Sequence, residues 1–101
     1  MSAVEQLCEA LGTIPGVTAG RSRFGARARR AWFAGRREFA HLHSPSVLDL
    51  RLPRGLQAKL RGDRRVHFRA RASEWLEIEF RSTRDVADIA ALANLAIRNR
   101  K

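Results

Sequence analysis

The sequence predicts an α+β domain, in which an antiparallel sheet of about five strands carries helices packed on one face. Two amphipathic helical patterns stand at the two ends of the chain, and short segments of alternating apolar and polar residues lie between them. Glycine and proline separate these short segments, as is typical of turns between strands. Together the patterns give the element order α-β-β-β-β-α-β-α.

Each terminal helix begins with a capping box, in which a serine is followed three residues later by an acidic residue. The two pairs are Ser2–Glu5 and Ser82–Asp85. Apolar residues at helical spacing continue the first helix to Gly12, and a broad apolar face continues the last helix to Ile97. Pro53 opens a shorter helix between them, at a position where its missing N–H costs nothing.

The alternating segments predict five strands, and Val66 to Phe68 is a further, brief candidate. The five are Val17–Phe24, Arg29–Ala34, Glu38–His43, Val47–Leu52 and Trp75–Phe80. The fourth has the clearest alternation, because Leu48, Leu50 and Leu52 face one way and Asp49 faces the other.

The length of 101 residues suits a single domain over 1–101, and 45% hydrophobic residues are too many for a disordered basic tail. Cys8 is the single cysteine, so no disulfide framework is expected. No apolar run approaches the ~18 residues that span a bilayer, and the N-terminus lacks the pattern of a signal peptide. We therefore expect a cytoplasmic protein with no membrane partner.

The net charge of +10 is distributed unevenly along the chain. No acidic residue occurs between Glu9 and Glu38, a stretch that holds seven arginines and several aromatic residues. This mixture is typical of a surface that binds nucleic acid or another polyanion. The arginines assigned to such a surface are Arg27, Arg29, Arg30, Arg36 and Arg37. The other interpretation is a pair of strands whose aromatic residues face the core and whose arginines face water.

His41 and His43 are the clearest candidates for chemistry. Because they lie two residues apart on a predicted strand, their side chains point to the same face, together with Phe39. Glu38 begins the same strand, and Asp49 comes from the next strand across a short hairpin. The sequence therefore predicts a pair of imidazoles on one face of the sheet, beside two carboxylates.

His67 would join these residues if its segment lies on a neighbouring strand. A histidine pair with a carboxylate is a ligand set for transition metals, and an open coordination position suits oxygen or water activation. The same groups could form a metal-free acid–base site, because imidazole titrates near neutrality. A third interpretation is that the imidazoles only pack and hydrogen-bond on a half-exposed sheet face.

Sequence motifs for common cofactors are absent. The glycines lack the spacing of nucleotide-binding loops, and there is no serine nucleophile elbow or paired-cysteine metal motif. No cofactor and no metal are assigned on this basis. The predicted partner is a small-molecule ligand, with nucleic acid as the second choice.

The order of motifs along the chain resembles the signature of the luciferase-like domain family. The matching segments are Pro15–Val17, Arg23–Gly25, Arg37–His43, Leu48–Leu50, Leu52–Arg54, His67 with Trp75, Arg81–Ser82 and Asp85–Val86. The named members of the family are the luciferases of bioluminescent fungi, and many small bacterial proteins of unknown role accompany them. The resemblance extends from Pro15 to Leu95.

The resemblance implies an oxygen-dependent oxidation of a hydroxypyrone, as in the fungal members, without an evident redox cofactor. It does not imply a flavin, because the flavin-dependent bacterial luciferases form a different family. The positions assigned to catalysis are Glu38, His41, His43, Asp49 and His67. The positions assigned to substrate binding are Trp75 and Arg51. Light emission is not expected, since the chain departs from the family pattern at 44–46 and 69–74.

The leading hypothesis is therefore a histidine-lined pocket in which one imidazole acts as general base on an enolic or phenolic molecule. Glu38 or Asp49 would orient that imidazole. The alternative hypothesis is a basic module that binds nucleic acid or another polyanion through the stretch from Arg21 to Arg37.

Overall fold

The computed structural model describes residues 1–23, 29–69 and 73–99. Its helices are α1 (Ala3–Gly12), α2 (Arg54–Gln57, continued by a 3₁₀ turn at Ala58–Leu60) and α3 (Thr83–Arg98). Its strands are β1 (Val17–Arg21), β2 (Arg30–Ala34), β3 (Arg37–Ser44), β4 (Val47–Arg51), β5 (Val66–Phe68) and β6 (Trp75–Glu79). They form an antiparallel sheet in the order β1-β2-β3-β4-β6-β5. Within these ranges, no helix is long and apolar enough to cross a membrane.

This architecture confirms the predicted α+β class, with six strands rather than about five. The additional strand is β5, whose three residues pair with β6 at the edge of the sheet. A strand of three residues has too short a pattern to stand out in the sequence. β1 ends at Arg21, whereas alternation predicts a strand to Phe24, which lies outside the described residues.

The apolar core lies between one face of the sheet and the helices α1 and α3. Leu48 and Leu50 of β4 point into it, as their alternation predicts, and both are fully buried. The helices supply the matching apolar residues: Leu7, Leu11, Val86, Ile89 and Ala93. Burial of each leucine side chain stabilises the fold by about 1.5–3 kcal/mol. This burial fixes the register of β4, and hence the face on which Asp49 lies.

The opposite face of the sheet carries a polar row that the pairing register sets side by side. The row crosses β3, β4, β6 and β5 through His41, Asp49, Glu77 and His67, and the apolar Ala31 of β2 lies next to His41 at its end. Asp49 is only 1% exposed although it points away from the apolar core. The polar face of the sheet is therefore not only a water-exposed surface, because it also buries an ionisable side chain.

A β-bulge between β2 and β3 decides which face Glu38 occupies. The register shifts between Trp32 and Phe33, so Phe39 is an extra residue on β3. Because of it, Glu38 and His41 point to the same face although they are three positions apart. Phe39 joins the apolar core instead. The prediction that Phe39 shares a face with the two histidines is wrong, since simple alternation does not include the extra residue.

One guanidinium group connects the edge of the sheet to the start of α3. Arg65 donates from Nε and Nη2 to Asp63, at 3.0 and 2.8 Å, and from Nη1 to Asp85 and Asp88, at 2.9 and 2.8 Å. The hydrogen bonds from Arg65 lower the pKa of Asp63 from 3.8 to about 2. The folded protein therefore keeps Asp63 ionised at pH values where the unfolded chain protonates it.

Replacing Arg65 with glutamine should lower the free energy of unfolding by about 1–2 kcal/mol at pH 7, because three carboxylates lose their shared donor. Since the folded-state pKa of Asp63 is depressed, its contribution is present above about pH 4 and is lost as the pH falls toward about 2. Urea denaturation should therefore show the difference in stability between wild type and variant narrowing as the pH falls from about 4 toward about 2.

The control for this measurement is Arg64→Gln, which removes the exposed arginine next to Arg65. Arg64→Gln should lower the free energy of unfolding by less than about 0.5 kcal/mol at any pH. Equal losses for the two variants would contradict the role assigned to Arg65.

Candidate functional site

Asp49 lies at the centre of β4, directly opposite His41 of β3. Nε2 of His41 is 2.8 Å from Oδ2 of Asp49, and Nδ1 of His41 is 2.8 Å from Oε2 of Glu38. Both ring nitrogens of His41 are therefore engaged by carboxylates. The indole of Trp75 lies against the imidazole, with the ring centroids 5.0 Å apart. The side chain of His41 is only 9% exposed.

Glu38 receives two further hydrogen bonds from the segment that follows β1. Oγ of Ser22 donates to Oε2 of Glu38 at 2.7 Å, and the backbone N–H of Arg23 donates to Oε1 at 2.9 Å. Neither contact follows from the sequence, because 16 and 15 positions separate these residues from Glu38 and no spacing rule links them. The contacts fix the carboxylate of Glu38 and, through it, the ring of His41.

The carboxylate of Asp49 is buried but ionised. Burial acts to raise its pKa, yet the hydrogen bond from His41 and the charges of His41, Arg69 and His43 together bring the pKa below its usual value. In the part of the chain that the structure describes, no group donates a hydrogen bond to Oδ1 of Asp49, although Nη2 of Arg69 lies 3.4 Å away. This oxygen is itself buried, so the guanidinium of Arg69 is the group that compensates its charge.

His43 is the imidazole that a ligand can reach. Its side chain is 42% exposed, and Nδ1 lies 3.4 Å from Oδ2 of Asp49 and 3.4 Å from Nη1 of Arg29. No residue within the described ranges is hydrogen-bonded to its Nε2. We refer to Glu38, His41, His43 and Asp49 as the Asp49 cluster.

His67 and Arg51 lie outside the Asp49 cluster. His67 is on the same face, but β4 and β6 separate β3 from β5, which places it three strand spacings, roughly 14 Å, from His41. His67 pairs with Glu79 instead, and its side chain is 53% exposed. The guanidinium of Arg51 bonds to Glu74. The structure thus brings together four of the five residues assigned to catalysis, and the three histidines do not converge.

The arginines predicted to bind nucleic acid do not share one surface in the described part of the chain. Arg29 is on the side of the Asp49 cluster, whereas Arg30 donates to the sulfur of the cysteine in α1, on the helical side. Arg36 lies in the turn between β2 and β3, and Arg37 is paired with an acidic residue. Arg27 lies outside the described residues. This distribution does not favour a continuous basic surface, and polyanion binding stays a prediction.

Three side chains on the same face are close enough to share a metal ion. His43, Asp49 and Glu77 each offer a ligand atom, and these atoms lie within 4.8 Å of one another. However, Nη2 of Arg69 is 3.4 Å from Asp49 and 3.8 Å from Glu77. The guanidinium already supplies positive charge to these carboxylates, so a divalent cation would have to displace it.

The fold and the cluster define an α+β domain with a histidine–carboxylate site on the sheet face that points away from the apolar core. Residues 36–96 match the family model described as Luciferase domain. The match covers more than half of the chain, which therefore belongs to this family, as the order of its motifs predicts. The whole Asp49 cluster lies inside the matched segment. Neither curated proteins nor solved structures give a match.

Replacing His41 with alanine should lower the free energy of unfolding by about 3–5 kcal/mol at pH 7, because Glu38 and Asp49 would lose their shared partner while buried. In the wild type, the lowered pKa of Asp49 contributes stability that is present above about pH 4 and is lost as the pH falls. The variant lacks this contribution. The urea-denaturation midpoints of the wild type and the variant should therefore approach each other as the pH is lowered.

His67→Ala is the matched control, because it removes an exposed imidazole that also has a carboxylate partner. It should cost less than about 1 kcal/mol. If the two alanine variants lose the same stability, His41 is not the central partner of the buried carboxylates.

Proposed function

We propose that the Asp49 cluster binds a small enolic or phenolic molecule and removes the proton from its hydroxyl group, which prepares the molecule for reaction with oxygen. The observation that carries this proposal is the arrangement around Asp49. Its buried carboxylate is held by His41 and lies 3.4 Å from the accessible imidazole of His43. A carboxylate behind an imidazole is a recurring arrangement of general bases.

His43 is the proposed base. A guanidinium can only donate to Nδ1, so the base form requires Arg29 to turn away from this nitrogen toward the ligand. Nδ1 then donates its proton to Asp49, and Nε2 keeps its lone pair for the hydroxyl proton of the ligand. The distance of 3.4 Å is long for a hydrogen bond, and such contacts commonly shorten when a ligand binds. His41 and Glu38 act as positioning residues, since they fix the carboxylate that orients the base.

Two guanidinium groups lie beside the Asp49 cluster and supply positive charge to it. Nη1 of Arg29 is 3.4 Å from the imidazole of His43, and Nη2 of Arg69 is 3.4 Å from Asp49. Cations fixed beside a developing oxyanion stabilise it more than water does. The indole of Trp75 offers an aromatic surface for a planar ring.

Molecular oxygen is the proposed co-substrate. An enolate is the electron-rich form of the ligand, and it can pass an electron to oxygen without a redox cofactor. The family match supports this reaction class, because the resemblance implies an oxygen-dependent oxidation of a hydroxypyrone in the fungal members. The residues of this chain would supply binding, the base and the stabilising cations.

Maltol, a hydroxypyrone that stays protonated in neutral buffer, tests the proposal in the presence of a chelator. Bound to the wild-type protein at pH 7, it should show the ultraviolet spectrum of its enolate. His43→Ala should lose that spectrum, and any oxygen uptake measured with an electrode should fall by about 100-fold or more. Asp49→Asn should also lose the enolate signal, because the base loses its orienting carboxylate.

The control is again His67→Ala, which should keep both the spectrum and the oxygen uptake of the wild type. An enolate signal that persists in His43→Ala would contradict the assignment of His43 as the base. A wild-type protein that binds neither maltol nor a catechol would overturn the proposed ligand class.

A further inference from the structure

A cavity of about 350 Å³ lies where the end of α3 meets the sheet, and no residue of the Asp49 cluster lines it. Its apolar lining comes from two strands, the segment before α2 and the last turns of α3: Ala34, Phe39, Pro53, Ala96 and Ile97. Phe39 is the extra residue of the β-bulge, which therefore shapes this cavity as well as the cluster. The volume is at the lower end of the range of small-molecule sites.

The polar rim of the cavity has an excess of positive charge. Nε and Nη2 of Arg51 both lie 3.0 Å from Oε1 of Glu74, and Nη2 of Arg37 lies 3.7 Å from the same oxygen. Two guanidinium groups therefore converge on one carboxylate oxygen. Guanidinium groups are the side chains best suited to hold a carboxylate, and here a side chain of the protein occupies that position.

We propose that this cavity binds an amphipathic monocarboxylate, such as a medium-chain fatty acid or an arylalkanoic acid of roughly ten non-hydrogen atoms. The apolar part of the ligand packs against Phe39 and Ile97. Its carboxylate replaces that of Glu74 between Arg37 and Arg51. Glu74 then moves into solvent, where 42% of its side-chain surface already lies.

The lining of the cavity argues against other classes of ligand. A neutral apolar molecule leaves the two guanidinium groups without an added partner, and an amine is repelled by them. Inorganic phosphate matches the charge of the rim but leaves the apolar lining unfilled. Only an amphipathic anion contacts both the apolar lining and the positively charged rim of the cavity.

Isothermal titration calorimetry with octanoate and with octanol separates the contribution of the ligand's charge to the affinity from the contribution of its apolar chain. Octanoate should bind the wild-type protein at least about ten-fold more tightly than octanol, because only the acid engages the arginines. Arg51→Gln should remove this difference. Glu74→Gln should tighten octanoate binding by roughly three-fold or more, because the competing carboxylate is gone.

Arg54→Gln and Glu79→Gln make the same changes of charge at positions that do not line the cavity. Both should leave the Kd of octanoate within about two-fold of the wild type, since neither side chain lines the cavity and charges outside it are screened by water and salt. His43→Ala should also leave the Kd of octanoate unchanged. The test of this cavity is therefore independent of the test of the proposed base.

Equal binding of octanoate and octanol would overturn the proposal, and so would the absence of octanoate binding. Weaker binding to Glu74→Gln would show that Glu74 supports the ligand instead of competing with it, which is also contrary to the proposal.

Discussion

The buried carboxylate of Asp49 is the constraint on which one whole face of the sheet depends. An ionised group that is 1% exposed costs several kcal/mol unless it is paired and hydrogen-bonded. His41 supplies that partner from the next strand, and Glu38 holds the other nitrogen of the same ring. The segment after β1 then satisfies Glu38 through Ser22. Each buried polar group of the cluster is therefore stabilised by a hydrogen bond or ion pair with the group next to it.

The β-bulge at Phe39 connects the apolar core to this polar face. In a regular strand, Glu38 and His41 would lie on opposite faces, because they are three positions apart and successive side chains alternate between faces. The extra residue brings both carboxylate partners of His41 to one side. It also turns Phe39 into the core, where that side chain lines the cavity at the end of α3. A single local irregularity therefore shapes two candidate sites.

Local spacing was enough to predict part of this architecture. The alternation of Leu48 and Leu50 determines which way Asp49 points, and a short hairpin brings it opposite His41, so both follow from neighbouring residues. The two capping boxes predict the starts of α1 and α3 for the same reason.

The remaining features depend on tertiary structure. The bulge reflects how β2 and β3 pack together, which spacing along β3 does not reveal. The position of His67 depends on the strand order, in which β6 lies between β4 and β5. The contacts from Ser22 and Arg23 to Glu38 join residues that are distant in sequence. Each of these requires knowledge of which elements are neighbours in space.

A double-mutant cycle between His41→Ala and Asp49→Asn measures the interaction that holds the cluster together. Urea denaturation of the wild type, the two single variants and the double variant at pH 7 gives the coupling free energy. If Asp49 is stabilised through His41, the two losses should not add, and the coupling should be about 1.5–3 kcal/mol. Additive losses, with a coupling below about 0.5 kcal/mol, would contradict this interpretation of the site.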